Sequence, residues 1–216
     1  EVKDSVTVNV RVSSEGNYDG YVTGTEKLTI TKRPITITGS GWTSSQPYTG
    51  KAYTKTDYEV EQANVENTRG LVAGETATVS YEITGTNVGP YTGTFGDDLE
   101  IKTAGGILGI GAKNVTDNYT VTKTPGTLTI SKAEINQYVT LNPRDVEEVY
   151  DGTAHEAGVA TATDSNGNEL KIEYSVDGTN WTTDPGTITA TEVKDSVTVN
   201  VRVSSEGNYD GYVTGT

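Results

Sequence analysis

The stretch EVKDSVTVNVRVSSEGNYDGYVTGT occupies residues 1–25 and returns, letter for letter, at residues 192–216. Residue 192 stands in the place of residue 1, an offset of 191 residues. Shared fold constraints do not preserve solvent-facing Ser, Asn, Asp and Arg, and these match along with the apolar positions. The sequence is therefore slightly more than one copy of a repeated unit. Inside the stretch Val6, Val8, Val10 and Val12 alternate with Ser5, Thr7, Asn9 and Arg11, and the pattern recurs at residues 197–203. A period of two predicts a strand with one face buried.

A fainter repeat lies within the unit. Tyr48-Thr49-Gly50 answers to Tyr150-Asp151-Gly152, and Tyr81-Glu-Ile-Thr-Gly-Thr-Asn87 to Tyr174-Ser-Val-Asp-Gly-Thr-Asn180. Asn118-Tyr119 answers to Asn208-Tyr209 and to Asn17-Tyr18, and the closing TLTISK at 127–132 to KLTITK at 27–32. The order of these anchors divides the chain into three parts. Residues 1–32 are the tail of a preceding second-type module, residues 33–132 are a first module, and residues 133–216 are a second module lacking its last strand. That missing strand should read EKLTITK, as at residues 26–32. The start of the chain, without Met, reads as internal or processed.

The alternation of the valine stretch appears again in Leu28/Ile30, Ile35/Ile37, Val79/Tyr81/Ile83, Leu128/Ile130 and Ile172/Tyr174/Val176. Asp19-Gly20, Asn166-Gly167, Asp177-Gly178 and Pro185-Gly186 punctuate these runs as turns. No window carries a capped helical stripe, and Gly105-Gly-Ile-Leu-Gly-Ile-Gly111 reads as a loop or bulged edge. The expected class is all-β: two tandem small antiparallel β-sandwich modules end to end, plus the partial N-terminal module. A β-grasp-like variant with one short helix is the alternative.

Composition narrows the function. There are 16 Lys and Arg against 30 Asp and Glu, a net charge of −14, which argues against nucleic acid and anionic membranes as partners. Zero Cys excludes disulfides and thiolate metal sites. No stretch approaches the roughly 20 apolar residues of a spanning helix, and no signal peptide is seen. The junctions LTITKRPITIT and LTISKAEINQ pass from one module to the next without a Gly/Ser linker. Pro34 stiffens the first by fixing its own φ and restricting Arg33. Modules of this size, roughly 35–45 Å long, would stack into a semi-rigid rod extending on the order of 80 Å per unit.

The Tyr-Asp-Gly at 150–152, the Asn-Tyr followed by a closing LTI-(S/T)-K, and YSVDGTNW at 174–181 resemble the YDG/MBG-type Ig-like repeats of bacterial surface proteins and adhesins. The first module departs from the pattern at Thr49 and in the stretch 64–74. The resemblance implies an Ig-like form for the sandwiches and an extracellular array on a bacterial cell surface. It implies no catalytic residue and no cofactor.

Candidate chemistry is sparse. His155 is the only histidine and has neither Cys nor a serine-elbow motif beside it, so no enzyme is expected. Asp164, Asn166, Asn168 and Glu169 offer hard oxygen ligands for calcium, as do Asp97, Asp98 and Glu100. Their spacing fits no calcium loop, and 164–169 reads better as an Asn-Gly hairpin. Trp42 and Trp181 are candidates for stacking on sugar rings, against a packing role in a chain with one Phe and no Met. A Lys–Asn isopeptide crosslink would suit a Cys-free fibre. The sequence points to a structural stalk or fibre repeat projecting a tip from the cell. Its alternative is an adhesive repeat binding a host glycan or host protein weakly, with avidity from the array. The expected partners are neighbouring copies end to end, either covalently continuous or joined through strand completion by residues 1–32.

Overall fold

The computed structural model describes residues 5–13, 16–17, 19–105, 111–204 and 207–216, so most of the glycine-rich stretch at 105–111 lies outside the described residues. The chain is all-β, with 47 % strand against 6 % helix and, among the described residues, no helix of seven residues or more. The helical turns, such as Ile135–Gln137 and Val193–Asp195, are single three-residue 3-10 turns. Nothing among the described residues supplies the helix of a β-grasp variant, nor is any helix long and apolar enough to cross a membrane.

The chain forms two compact units. One comprises residues 1–41, 54–83 and 92–127, and the other residues 42–53, 84–91 and 128–216.

In the first unit, Arg33–Gly39 is the central strand, buried on alternate residues. It pairs antiparallel with Tyr58–Val60 and parallel with Tyr119–Thr124, whose Tyr119 stands opposite Arg33. Parallel pairing departs from the purely antiparallel expectation. It joins strands from the two ends of a module, and such a pair needs a long connection that leaves no local turn signal. Ile35, Leu71, Ile101 and Tyr119 form the core, with Val60, Ala77 and Val121 packed around them. The irregular stretch 64–74 is held by Arg33, whose guanidinium donates to the carbonyl oxygens of Gly70 (2.6 Å), Asn67 (2.5 Å) and Arg69 (2.6 Å).

The same unit carries an isolated antiparallel hairpin, Ser5–Ser13 against Tyr21–Thr29, exposed along its whole length. The predicted alternation is present in the register, yet the expected burial is absent: Val10 is 39 % and Val12 68 % exposed.

In the second unit, Asn200–Ser204 lies between Ile172–Ser175 and Tyr212–Gly215. Its core is Ala160, Tyr174 and Val201, flanked by Leu141, Ile172, Ile188 and Val199. Thr127–Ser131 buries Leu128 and Ile130 and pairs parallel with Gln46–Pro47. Ala133–Glu134 follows directly, with Ala133 parallel to Tyr209. Arg33 and Ala133 follow the matching KLTITK and TLTISK stretches, and Tyr119 and Tyr209 are matching Asn-Tyr tyrosines, so the internal sequence repeat reproduces its parallel register.

Truncating Ile101, which is fully buried, removes three carbons from the first core. Ile101→Ala is expected to cost about 3 kcal/mol, read as a lower urea midpoint for the transition of that unit.

Candidate functional site

The 25-residue duplicate forms one hairpin in two settings. Val10 faces Gly24, Arg11 faces Thr23, Val12 faces Val22 and Ser13 faces Tyr21. Adding the offset, Val201 faces Gly215, Arg202 faces Thr214, Val203 faces Val213 and Ser204 faces Tyr212. The register is identical, so it is encoded within the hairpin. Burial is not: Val201 and Val203 are 4 % and 1 % exposed. Fully covering a valine is worth about 1.5–3 kcal/mol, and only the second copy obtains it.

The two copies also differ in length. In the first, Ser5–Val8 continues the strand because residues 26–29 lie opposite. In the second the strand starts at Asn200, the counterpart of Asn9, whose partner Thr25 corresponds to Thr216. Residues 196–199 stand outside the sheet and Val197 is exposed, which corrects the strand expected over residues 197–203.

Beside these residues runs a groove of about 620 Å³ lined by Val197, Val199, Val201, Tyr150, Ala160 and Thr216 among others. Its second wall is the segment 143–150, exposed and without regular structure. The corresponding segment ahead of Tyr48 is ordered by the closing strand: Ile130 stands opposite Gln46, and Tyr48 N–H donates to Ser131 O at 2.9 Å. Tyr48 is 6 % exposed, and Tyr150 is 63 % exposed.

The junction expected at residues 132 and 133 lies within the second unit. Ala133 N–H donates to Asn208 O at 3.1 Å. The Asn208 side chain accepts from Val88 N–H at 2.8 Å and donates to Asn87 Oδ1 at 3.0 Å. Tyr48 and Tyr209 meet edge to face, their centroids 5.3 Å apart. Gly50, with φ +74, lies so near Asn166 that a Cβ there would stand 1.8 Å from Nδ2. The Asn-Tyr pair at 208–209 thus clamps residues 48, 87, 88 and 133 together within the second unit, a role unassigned from sequence although the recurrence of Asn-Tyr was the available signal.

Asp164, the leading calcium candidate, is buried with its oxygens engaged. Oδ1 accepts from the N–H groups of Asn166 and Asn168, each at 2.9 Å, and Oδ2 from the Asn168 side chain at 3.0 Å and the Tyr209 hydroxyl at 3.1 Å. Burial pushes this carboxyl up, but the donors of Asn168, Asn166 and Tyr209 outweigh it and hold it below the usual aspartate range. Burial, reinforced by Asp164, pushes the Tyr209 phenol up. Glu169 forms an isolated bridge with Thr163, completing a hairpin around Gly167 at φ +84. No group of three metal-ligating side chains occurs among the described residues.

The remaining candidates are dispersed. His155 Nε2 lies 3.1 Å from Asp151 Oδ1, which also accepts from Thr153 N–H and Oγ1. Asp98 is held low by hydrogen bonds from the Ser80 hydroxyl and N–H, and Glu100 pairs with Lys102 at 2.8 Å. Asp177 organises the turn before Trp181, accepting from the N–H groups of Asn180 and Thr179 and lying well below the usual range. Trp181 carries the Arg202 guanidinium 4.0 Å above its ring, and Arg202 pairs with Glu173 at 2.8 Å. Trp42 meets Tyr53 edge to face at 6.1 Å. Lys55 and Lys123 donate to main-chain oxygens of Gly41 and Gly96.

Asp164→Ala is expected to destabilise the second unit by about 2–3 kcal/mol, because it leaves the Tyr209 hydroxyl without its acceptor. A carboxylate with a lowered folded pKa stabilises fully above its unfolded pKa of about 3.9 and progressively less as pH falls through the folded value. Urea midpoints of the wild-type chain should therefore fall below about pH 4, and the Asp164→Ala variant should show a shallower fall.

Comparisons with protein-family models, with curated proteins and with solved structures each give no match.

Proposed function

We propose that the chain is a structural repeat of a bacterial cell-surface stalk or fibre, built from Ig-like β-sandwich modules and holding a tip away from the cell. The single observation that carries this reading is the junction clamp. Asn208 binds Ala133, Val88 and Asn87, while Tyr209 packs on Tyr48. Both clamp residues belong to the segment that recurs at the 191-residue offset. A flexible linker at residues 132–133 would leave these groups to solvent; a short, hydrogen-bonded connection there fits a stiff repeat.

Charge and chemistry fit the same role. A net charge of −14 keeps closely spaced acidic copies apart and soluble at high density. The leading calcium candidate is engaged in a turn, where Asp164 closes a hairpin, and the other acidic turn residues are engaged likewise: Asp177 closes a hairpin and Asp151 binds the residues that follow it. An adhesive repeat would instead use open aromatic platforms, and one face of Trp181 is covered by Arg202.

The test is length. Tandem chains of two and four units, measured by small-angle X-ray scattering, are expected to lengthen linearly by on the order of 80 Å per added unit. Growth of the maximum dimension as the square root of unit number would reject a stiff stalk. Asn208→Ala should bend the relation towards that limit.

A further inference from the structure

The parallel pair of the first unit joins two strands that lie in the interior of the chain. Arg33–Gly39 and Tyr119–Thr124 run in the same direction, in register from Arg33 opposite Tyr119 to Thr38 opposite Thr124. The chain enters the first strand from Lys32 and leaves the second through Pro125. Tension along the chain therefore draws the first strand towards its N-terminal end and the second towards its C-terminal end. In a parallel pair these are opposite directions along the strand axis, so the load shears the pair and does not open it from one end. We infer that this pair is a shear clamp, and that the first unit is a load-bearing element that stays folded when the chain is pulled. The inference rests on the stalk reading, since a stalk is what places such a chain under tension.

Sliding is resisted along the whole overlap. The bonds of a parallel ladder are evenly spaced, so a shearing load is shared among them, whereas peeling concentrates it on the terminal bond. Partial slip is blocked as well, because a shift of one residue turns every side chain of a strand to its other face. That shift would carry Ile35 and Ile37, 1 % and 0 % exposed, out of the core and bring Thr36 towards it.

The first strand is also held on its second edge and at its entry point. Ile37 stands opposite Val60 and Gly39 opposite Tyr58 in an antiparallel pair. Glu61 N–H donates to Thr36 O at 2.9 Å, and Thr36 N–H donates to Glu61 Oε2 at 3.0 Å. Arg33, the strand residue that takes up the load first, donates to the main-chain oxygens of Asn67, Arg69 and Gly70. Gly70 N–H in turn donates to Pro34 O at 2.9 Å. The same sense of pairing recurs further along both runs of chain. Within the second unit Gln46–Pro47 pairs parallel with residues 130–131. Residues 33–47 cannot slide past residues 119–131 without breaking both pairings.

The test is single-molecule force spectroscopy on the whole chain, pulled in two directions. The chain has no Cys, so two introduced thiols are its only attachment points. Lys32→Cys with Thr124→Cys loads the pair from opposite ends and shears it. Lys32→Cys with Thr120→Cys loads it at the end where Thr120 stands opposite Pro34, and peels the same bonds in turn. All three positions are exposed, and Asp117→Cys, exposed too, serves as a second peeling handle. Forced unfolding is governed by the unfolding rate, so at equal pulling speed the shearing pair is expected to fail at a force at least about twofold higher. A smaller ratio, or a higher force in the peeling direction, overturns the clamp, because a core that is merely stable shows no such dependence on direction. The outcome is separable from the length test. Linear growth of tandem chains with equal forces rejects the clamp and leaves the stalk, while a high force ratio with square-root growth rejects the stalk and leaves the clamp.

Discussion

The valine face of the duplicated hairpin is the constraint on which the second unit rests. A two-stranded hairpin pairs only its inward-facing backbone groups and leaves one apolar face to be covered, and by itself is marginal in water. Residues 5–29 and residues 200–215 share a register, but Asn200–Ser204 is paired on its other edge as well, with Ile172–Ser175. What separates them is that strand partner and the cluster that Ala160, Tyr174, Leu141 and Ile188 form with Val201. The stability of the second unit thus lies in the match between a hairpin that fixes its own register and a scaffold that supplies its strand partner and its cover.

Polar chemistry then fixes the geometry that burial alone leaves loose. Asp164 gathers two backbone N–H groups, the Asn168 amide and the Tyr209 hydroxyl, so one carboxylate shapes a hairpin and anchors the Asn-Tyr segment. Tyr119 is held similarly in the first unit, accepting from Val72 N–H at 3.1 Å and donating to Glu75. A buried tyrosine hydroxyl without an acceptor is costly, which ties the Asn-Tyr segments at 118–119 and 208–209 to acidic partners. In the second unit that tie also holds Asn208 where it clamps Ala133, Val88 and Asn87.

Much of this was legible in the residues. Alternation at Ile35/Ile37, Tyr81/Ile83 and Leu128/Ile130 located buried strand faces, because side chains on a strand point to alternate sides and only one side meets the core. Asn166-Gly167 and Asp177-Gly178 located turns, because glycine adopts positive φ at little cost. The same reasoning missed the parallel pairs: Tyr119 meets Arg33 across 86 residues of chain, beyond the reach of any turn signal. It also singled out Asp164 and Trp181 as ligand candidates, since their partners Tyr209 and Arg202 lie 45 and 21 residues away.

The sequence of residues 1–25 and 192–216 by itself determined that a unit repeats and that each copy forms a hairpin of one register. Strand pairing across a short connection depends on local chemistry, and the two segments have identical chemistry. Only the tertiary structure decided which copy is covered, where the strand stops, and that a groove opens beside residues 196–199. Burial depends on what the rest of the chain places behind a strand, and that differs between the two ends although their residues do not.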